Sequence, residues 1–180
     1  GSKMIEEVNN SSTENNLSLQ VISGISEKDT TKLNTLSENN KEQIDTLTKS
    51  AVKNASSSQE SADLIAQVVA NANEDFANQI IGEVTKNSTD ENQALSAKVM
   101  KSIVETNPDK IENLNDENKD NLISQTIEAA KNQAEGTSSD ELDLSNTIAE
   151  IVTNSDTGTA AKVLESLEEA SNDSDSKLSL

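Results

Sequence analysis

The chain has no cysteine, histidine, arginine, tryptophan or tyrosine, one phenylalanine (Phe76) and one proline (Pro108). Each absence closes a class of chemistry. Without cysteine there is no disulfide framework, no thiolate nucleophile and no thiolate zinc site. Without histidine the commonest general base and the commonest transition-metal ligand are both missing. Without arginine there is no bidentate phosphate clamp and no fork to read guanine. The charge is also one-sided, with 33 acidic residues against 14 lysines and a net charge of −19. Such a surface repels nucleic acid and anionic lipid heads, so nucleic acid is not expected among the partners. No apolar run approaches the ~20 residues that cross a bilayer, so direct membrane insertion is not expected either.

What is present is repetition. Leu36-Ser37-Glu38-Asn39-Asn40-Lys41-Glu42-Gln43-Ile44 returns 78 residues later as Leu114-Asn115-Asp116-Glu117-Asn118-Lys119-Asp120-Asn121-Leu122. Upstream, Val21, Ile22 and Ile25 fall on Val99, Met100 and Ile103 at the same offset. Downstream the offset is 83, where Ile65-Ala66-Gln67-Val68-Val69 aligns with Ile148-Ala149-Glu150-Ile151-Val152, and Ile80-Ile81 with Val163-Leu164. Self-similarity at a long fixed period is the mark of an array whose units bury apolar faces against their neighbours. The ends share the pattern: Ile5-Glu6-Glu7-Val8 copies Ile81-Gly82-Glu83-Val84, and Leu178-Ser179-Leu180 restarts Leu17-Ser18-Leu19. The expected division is 1–13 as the end of a preceding unit, including a Gly1-Ser2 cloning scar, 14–90 as the first repeat and 91–172 as the second. Residues 173–180 then begin a following unit or form a disordered tail.

Apolar residues recur at helical spacing, as in Ile65, Val68 and Val69 and then Phe76, Ile80, Ile81 and Val84. No stretch alternates like a strand. Helix starts are marked by capping boxes at Ser57-Ser58-Gln59-Glu60, Ser88-Thr89-Asp90-Glu91 and Ser138-Ser139-Asp140-Glu141. Asp29, Asn107 before Pro108, Ser37, Asn115, Asn73 and Asp156 also stand at expected caps. These signals predict helices near 14–26, 30–36, 38–55, 59–72 and 74–87, then 91–106, 108–114, 116–134, 143–154 and 157–170. Gly136 and the Ser/Thr around it form the loosest joint, where the second unit carries its extra residues. The expected fold class is all-α, a tandem helical repeat (α-solenoid) of two units with about five short helices each. At 32 % hydrophobic residues the core is thin and aliphatic. Ile65, Ile80 and Ile81 should be buried in the first unit, and Ile148, Val163 and Leu164 at the equivalent places in the second. A charge of −19 also describes disordered chains, but such chains have no reason to carry periodic apolar faces and duplicated caps.

The run Val68-Val69-Ala70-Asn71-Ala72-Asn73-Glu74-Asp75-Phe76-Ala77-Asn78-Gln79-Ile80-Ile81, and its counterpart from Ile151 to Leu164, joins an apolar pair, a short polar turn, an acidic or polar helix start and a second apolar pair. In this it resembles the superhelical repeats that precede the pore in MgtE-type magnesium transporters. The chain departs from that family in lacking its usual Pro and Leu density. The resemblance implies architecture alone, with no transport role and no regulatory magnesium site.

Few constellations could carry chemistry. Glu38 and Glu42, and Glu165, Glu168 and Glu169, lie at one-turn spacing on helix faces. Paired carboxylates act as acid and base when burial splits their pKa values, but nothing apolar or aromatic surrounds these, and a solvated face is expected. Asn172-Asp173-Ser174-Asp175-Ser176 begins like a calcium loop yet lacks the central Gly and the distant bidentate Glu, so a linker is expected. Phe76 reads as core. Gly24 and Gly82 lie within helices, where Gly costs about 1 kcal/mol relative to Ala, and close packing between units is their expected reason. No catalytic residue, metal site or cofactor is expected.

The function expected from these features is a non-enzymatic structural module of a longer acidic, repetitive protein, acting as spacer or scaffold. A bacterial surface or secreted setting is favoured over the cytoplasm by the lack of Cys and the Ser/Thr/Asn/Asp richness. The alternative is an intracellular α-solenoid scaffold, although interaction hot spots are enriched in Tyr, Trp and Arg, all three absent. An enzyme and an acidic nucleic-acid mimic rank below both. Expected partners are neighbouring repeats of the same chain and end-to-end self-association.

Overall fold

The computed structural model describes residues 17–55, 57–86, 89–136 and 143–172. These form ten helices: α1 (Leu17–Lys28), α2 (Thr30–Asn39), α3 (Lys41–Lys53), α4 (Gln59–Asn71), α5 (Glu74–Val84), α6 (Asp90–Thr106), α7 (Asp109–Glu112), α8 (Asp116–Ala134), α9 (Leu144–Asn154) and α10 (Thr157–Asn172). No strand occurs among the described residues.

Short polar side chains set most of the helix starts by accepting a bond from an otherwise orphan first-turn amide. Asp29 accepts from Lys32 N at 2.8 Å, Asn73 from Phe76 N at 2.9 Å, and Asn115 from Asn118 N at 2.8 Å. Ser58, Thr89 and Asp143 cap α4, α6 and α9 in the same way. Asp156 Oδ1 takes the amides of Gly158 and Thr159 at the head of α10. Two expected starts are corrected. Ser37 lies inside α2, its hydroxyl donating to the Asn34 carbonyl at 2.7 Å, and the break falls at Asn40 instead. Asn107 closes α6, its amide donating to the Ile103 carbonyl, and α7 opens at Pro108. The box at 138–141, the Ser88 end of the second box, the loop at 173–176 and the terminal segments 4–8 and 178–180 lie outside the described residues. After α8 the chain turns at Gly136, whose φ of +71° is the left-handed conformation that ends helices.

The core is one continuous aliphatic cluster from Leu19 to Leu167, with Phe76 buried within it. In the first half α1 packs on α2, α3 and α4, α3 on α5, and α4 on α5. In the second half α6 packs on α7, α8 and α9, α8 on α10, and α9 on α10. The halves meet where α6 lies on α4 and where α5 touches α6 and α8.

Candidate functional site

With so little catalytic chemistry in the chain, the features able to act are its helix faces. The best defined is the seam between the halves. Ala62, Ala66 and Val69 stand one helical turn apart on α4 and are completely buried, as is Ile81 on α5. On α6 the same holds for Val99 and Ile103. Polar groups fix the register around this apolar strip. Ser102 Oγ donates to Asp63 Oδ1 at 2.7 Å and accepts from Gln59 Nε2 at 2.9 Å. Lys110 Nζ donates to the Ala72 carbonyl at the end of α4 at 2.7 Å, satisfying one of the orphan acceptors of a helix terminus. Gln125 Nε2 donates to the Thr85 carbonyl at 2.7 Å while its Oε1 accepts from Ser96 Oγ at 2.6 Å. Asn118 Nδ2 donates to the Asn78 carbonyl at 2.8 Å. Opposite it stands Gly82, where an added Cβ would lie 3.3 Å from Asn118 Oδ1. The glycine leaves room for that amide, which is the close packing expected of it.

The same strip, moved 83 residues along the chain, is open. Ser145 and Ala149 are exposed and Val152 is half-buried, in place of Ala62, Ala66 and Val69. Leu164, in place of Ile81, is 52 % exposed. The expectation that Leu164 is buried beside Ile148 and Val163 is therefore corrected; those two are buried, at 6 % and 1 % exposure. The cause lies in the neighbours. α5 is covered by α6 and α8, whereas α10 packs only on α7, α8 and α9.

A matching open strip lies on α1. Val21, Gly24 and Ile25 are half-buried, where Val99, Ser102 and Ile103 of α6, 78 residues later, are buried. They line an apolar groove of about 420 Å³ rimmed by Lys28, Asp29 and Lys32. A Cβ on Gly24 would meet nothing within 4 Å, so close packing explains Gly82 and not Gly24.

The carboxylate pairs come out as solvated faces: Glu38, Glu42, Glu165, Glu168 and Glu169 are all exposed. Glu38 shares a cleft of about 680 Å³ with Lys41, Asp45, Asp75, Asn78 and Asn118, a mixture of both charges and neutral amides. Among the described residues no group of three or more carboxylates is placed to hold a metal ion, and no helix is long and apolar enough to cross a membrane.

One pair escaped the sequence argument. Ser23 Oγ donates to Gln67 Oε1 at 2.7 Å, tying α1 to α4. At the corresponding positions of α6 and α9, Lys101 Nζ and Glu150 Oε2 form an ion pair at 2.7 Å. The hydrogen bond from Lys101 holds the Glu150 carboxyl below the ordinary range, and the same bond raises the Lys101 ammonium. The joint exchange of Ser for Lys and Gln for Glu was its signal. Asp156 is also held low, by hydrogen bonds from the Thr159 side chain and backbone amide.

No family model matches the chain, and neither a curated protein nor a solved structure matches it.

Proposed function

We propose that the chain is a structural module: two tandem five-helix units of an α-solenoid that serves a longer acidic protein as spacer and scaffold. The observation that carries this is the duplicated pattern of helix neighbours. Five packings of the first half (α1 with α2, α3 and α4, α3 with α5, α4 with α5) have their equivalents in the second, in the same order. Nearest-neighbour packing of equivalent units is the physics of solenoids. It is also the architecture implied by the resemblance to the repeats of MgtE-type transporters. Open strips on α1 and on α9–α10, each the counterpart of a strip buried at the seam, fit a module built to be continued in both directions. The cleft of mixed charges and amides, with no exposed aromatic side chain on its walls, favours spacing over partner capture. High negative charge suits a surface or secreted rod, since it keeps extended polymers apart and soluble.

The test is to lengthen the array. Adding a copy of residues 98–172 after Leu180 keeps Leu178-Ser179-Leu180 in register with Leu95-Ser96-Ala97. The expected product is longer by one unit in small-angle scattering and unfolds at higher denaturant, because Leu164 is now covered. An added segment that tumbles as a separate bead, or leaves the midpoint unchanged, contradicts the array.

A further inference from the structure

We propose that a second copy of this chain docks its α1–α2 face on the open α9–α10 face, making a head-to-tail joint that repeats the internal seam. The inference rests on the array reading above, and the occupant is fixed by the seam itself. There, α6 and α7 of one half already sit on α4 and α5 of the other, and α1 and α2 are their counterparts at an offset of 78 residues. The apolar parts correspond: Val21 and Ile25 replace Val99 and Ile103 on one side, and Val152 and Leu164 replace Val69 and Ile81 on the other.

The polar parts are complementary as well. Lys110 reaches the Ala72 carbonyl across the seam. Its counterpart, Lys32, stands on the rim of the α1 groove. The position it would reach is the Ser155 carbonyl, beside Asp156, whose Oδ2 is buried without a hydrogen-bond partner. Two lysines on one face thus meet an acidic helix end on the other, which matters in a chain of net charge −19. One substitution works against tightness. Glu165 occupies the place of Gly82, so Asn40 cannot approach as Asn118 does. The joint between copies is consequently weaker than the internal seam. It is also heterologous, with different patches on the two partners, so it propagates instead of closing as a symmetric dimer.

The experiment is sedimentation velocity on the full chain at rising concentration, in enough sodium chloride to screen the like-charge repulsion. The wild type should gain mass with concentration. Leu164→Glu charges one face and Gly24→Gln fills the other. Both should keep the fold, since Leu164 is exposed, a side chain at Gly24 enters open space, and Gln is the better helix former. Each variant alone should stay monomeric where the wild type associates, with affinity down about tenfold or more. An equimolar mixture should recover a one-to-one dimer that grows no further, because each variant supplies the face the other lacks. The proposal is overturned if either variant associates like the wild type or if the mixture stays monomeric. It is equally overturned if the wild type remains monomeric with its helicity intact, which would mean the faces are covered by the chain's own terminal segments. That last result leaves the array standing if the lengthened chain still folds as one rod, so the two failures can be told apart.

Discussion

Ile81 and Leu164 hold the same place in two copies of one sequence pattern, yet the first is 0 % exposed and the second 52 %. Their own helices do not explain this. α5 and α10 each pack on the preceding helix and on a long helix of their own half. Only α5 also meets helices of the next half. Burial in such a chain is a property of the neighbour, and stabilisation is concentrated at the seam. The comparison also teaches what an amphipathic pattern means: it marks a face that can be covered, whether or not anything covers it.

The largest expected effect breaks the comparison directly. Ile81→Ala should cost about 2–4 kcal/mol in urea unfolding, the transfer and cavity loss of a buried aliphatic side chain. Leu164→Ala, at dilute protein, should change stability by no more than about 0.5 kcal/mol, as surface substitutions do. Equal losses would show that the two positions are buried alike.

A smaller effect separates Ser96 from Ser18, which are 78 residues apart in the same register. Ser96 donates to Gln125. Ser18 faces the first half, where Leu47 stands in place of Gln125, and its hydroxyl is buried with no hydrogen-bond partner. Ser96→Ala should therefore cost about 1 kcal/mol, whereas Ser18→Ala should be neutral or stabilising, because it removes a desolvated group that gains nothing. Denaturant midpoints of the two variants decide this.

The joint between the first and fourth helices of each half differs in acid. Glu150 and Asp156 have lowered pKa values, so their contribution is present above the unfolded carboxyl range, about pH 4, and lost as pH falls through the lower folded values. Lys101, raised, acts in the opposite sense: its contribution is present below its unfolded value and lost as pH rises through the folded one. The Ser23–Gln67 joint has no charge to lose. Exchanging the pair by Lys101→Ser with Glu150→Gln should flatten the fall in melting temperature on the acid side. An unchanged slope between neutral pH and pH 3 would remove this pair from the account.

The smallest effect concerns salt. Screening a net charge of −19 should raise the melting temperature modestly. Millimolar calcium should do no more than sodium chloride at equal ionic strength; a clear excess would reveal a divalent site.

Much of the secondary structure was legible because caps are local. Asp29, Ser58, Asn73, Thr89 and Asn115 satisfy first-turn amides within three residues, so the sequence window contains the whole interaction. Ser37 misled because a serine hydroxyl can bond backward to a carbonyl of its own helix as well as forward to an amide, and here it takes the Asn34 carbonyl. Leu164 misled for a different reason. Repetition aligns it with Ile81, but alignment carries the pattern of a face and not the presence of its cover. The seam locks, such as Lys110 on the Ala72 carbonyl, join residues 38 apart and leave no local signature.

The central claim, that a following unit would cover the α9–α10 strip as α6 and α8 cover its counterpart, can be measured at one atom. The chain has no cysteine, so a single thiol introduced by Leu164→Cys is the only one to react. Its labelling rate at dilute protein should be fast in the present chain and should fall, in the chain lengthened by one unit, to the slow rate of Ile81→Cys. A rate at position 164 that is unchanged by the added unit would contradict the account.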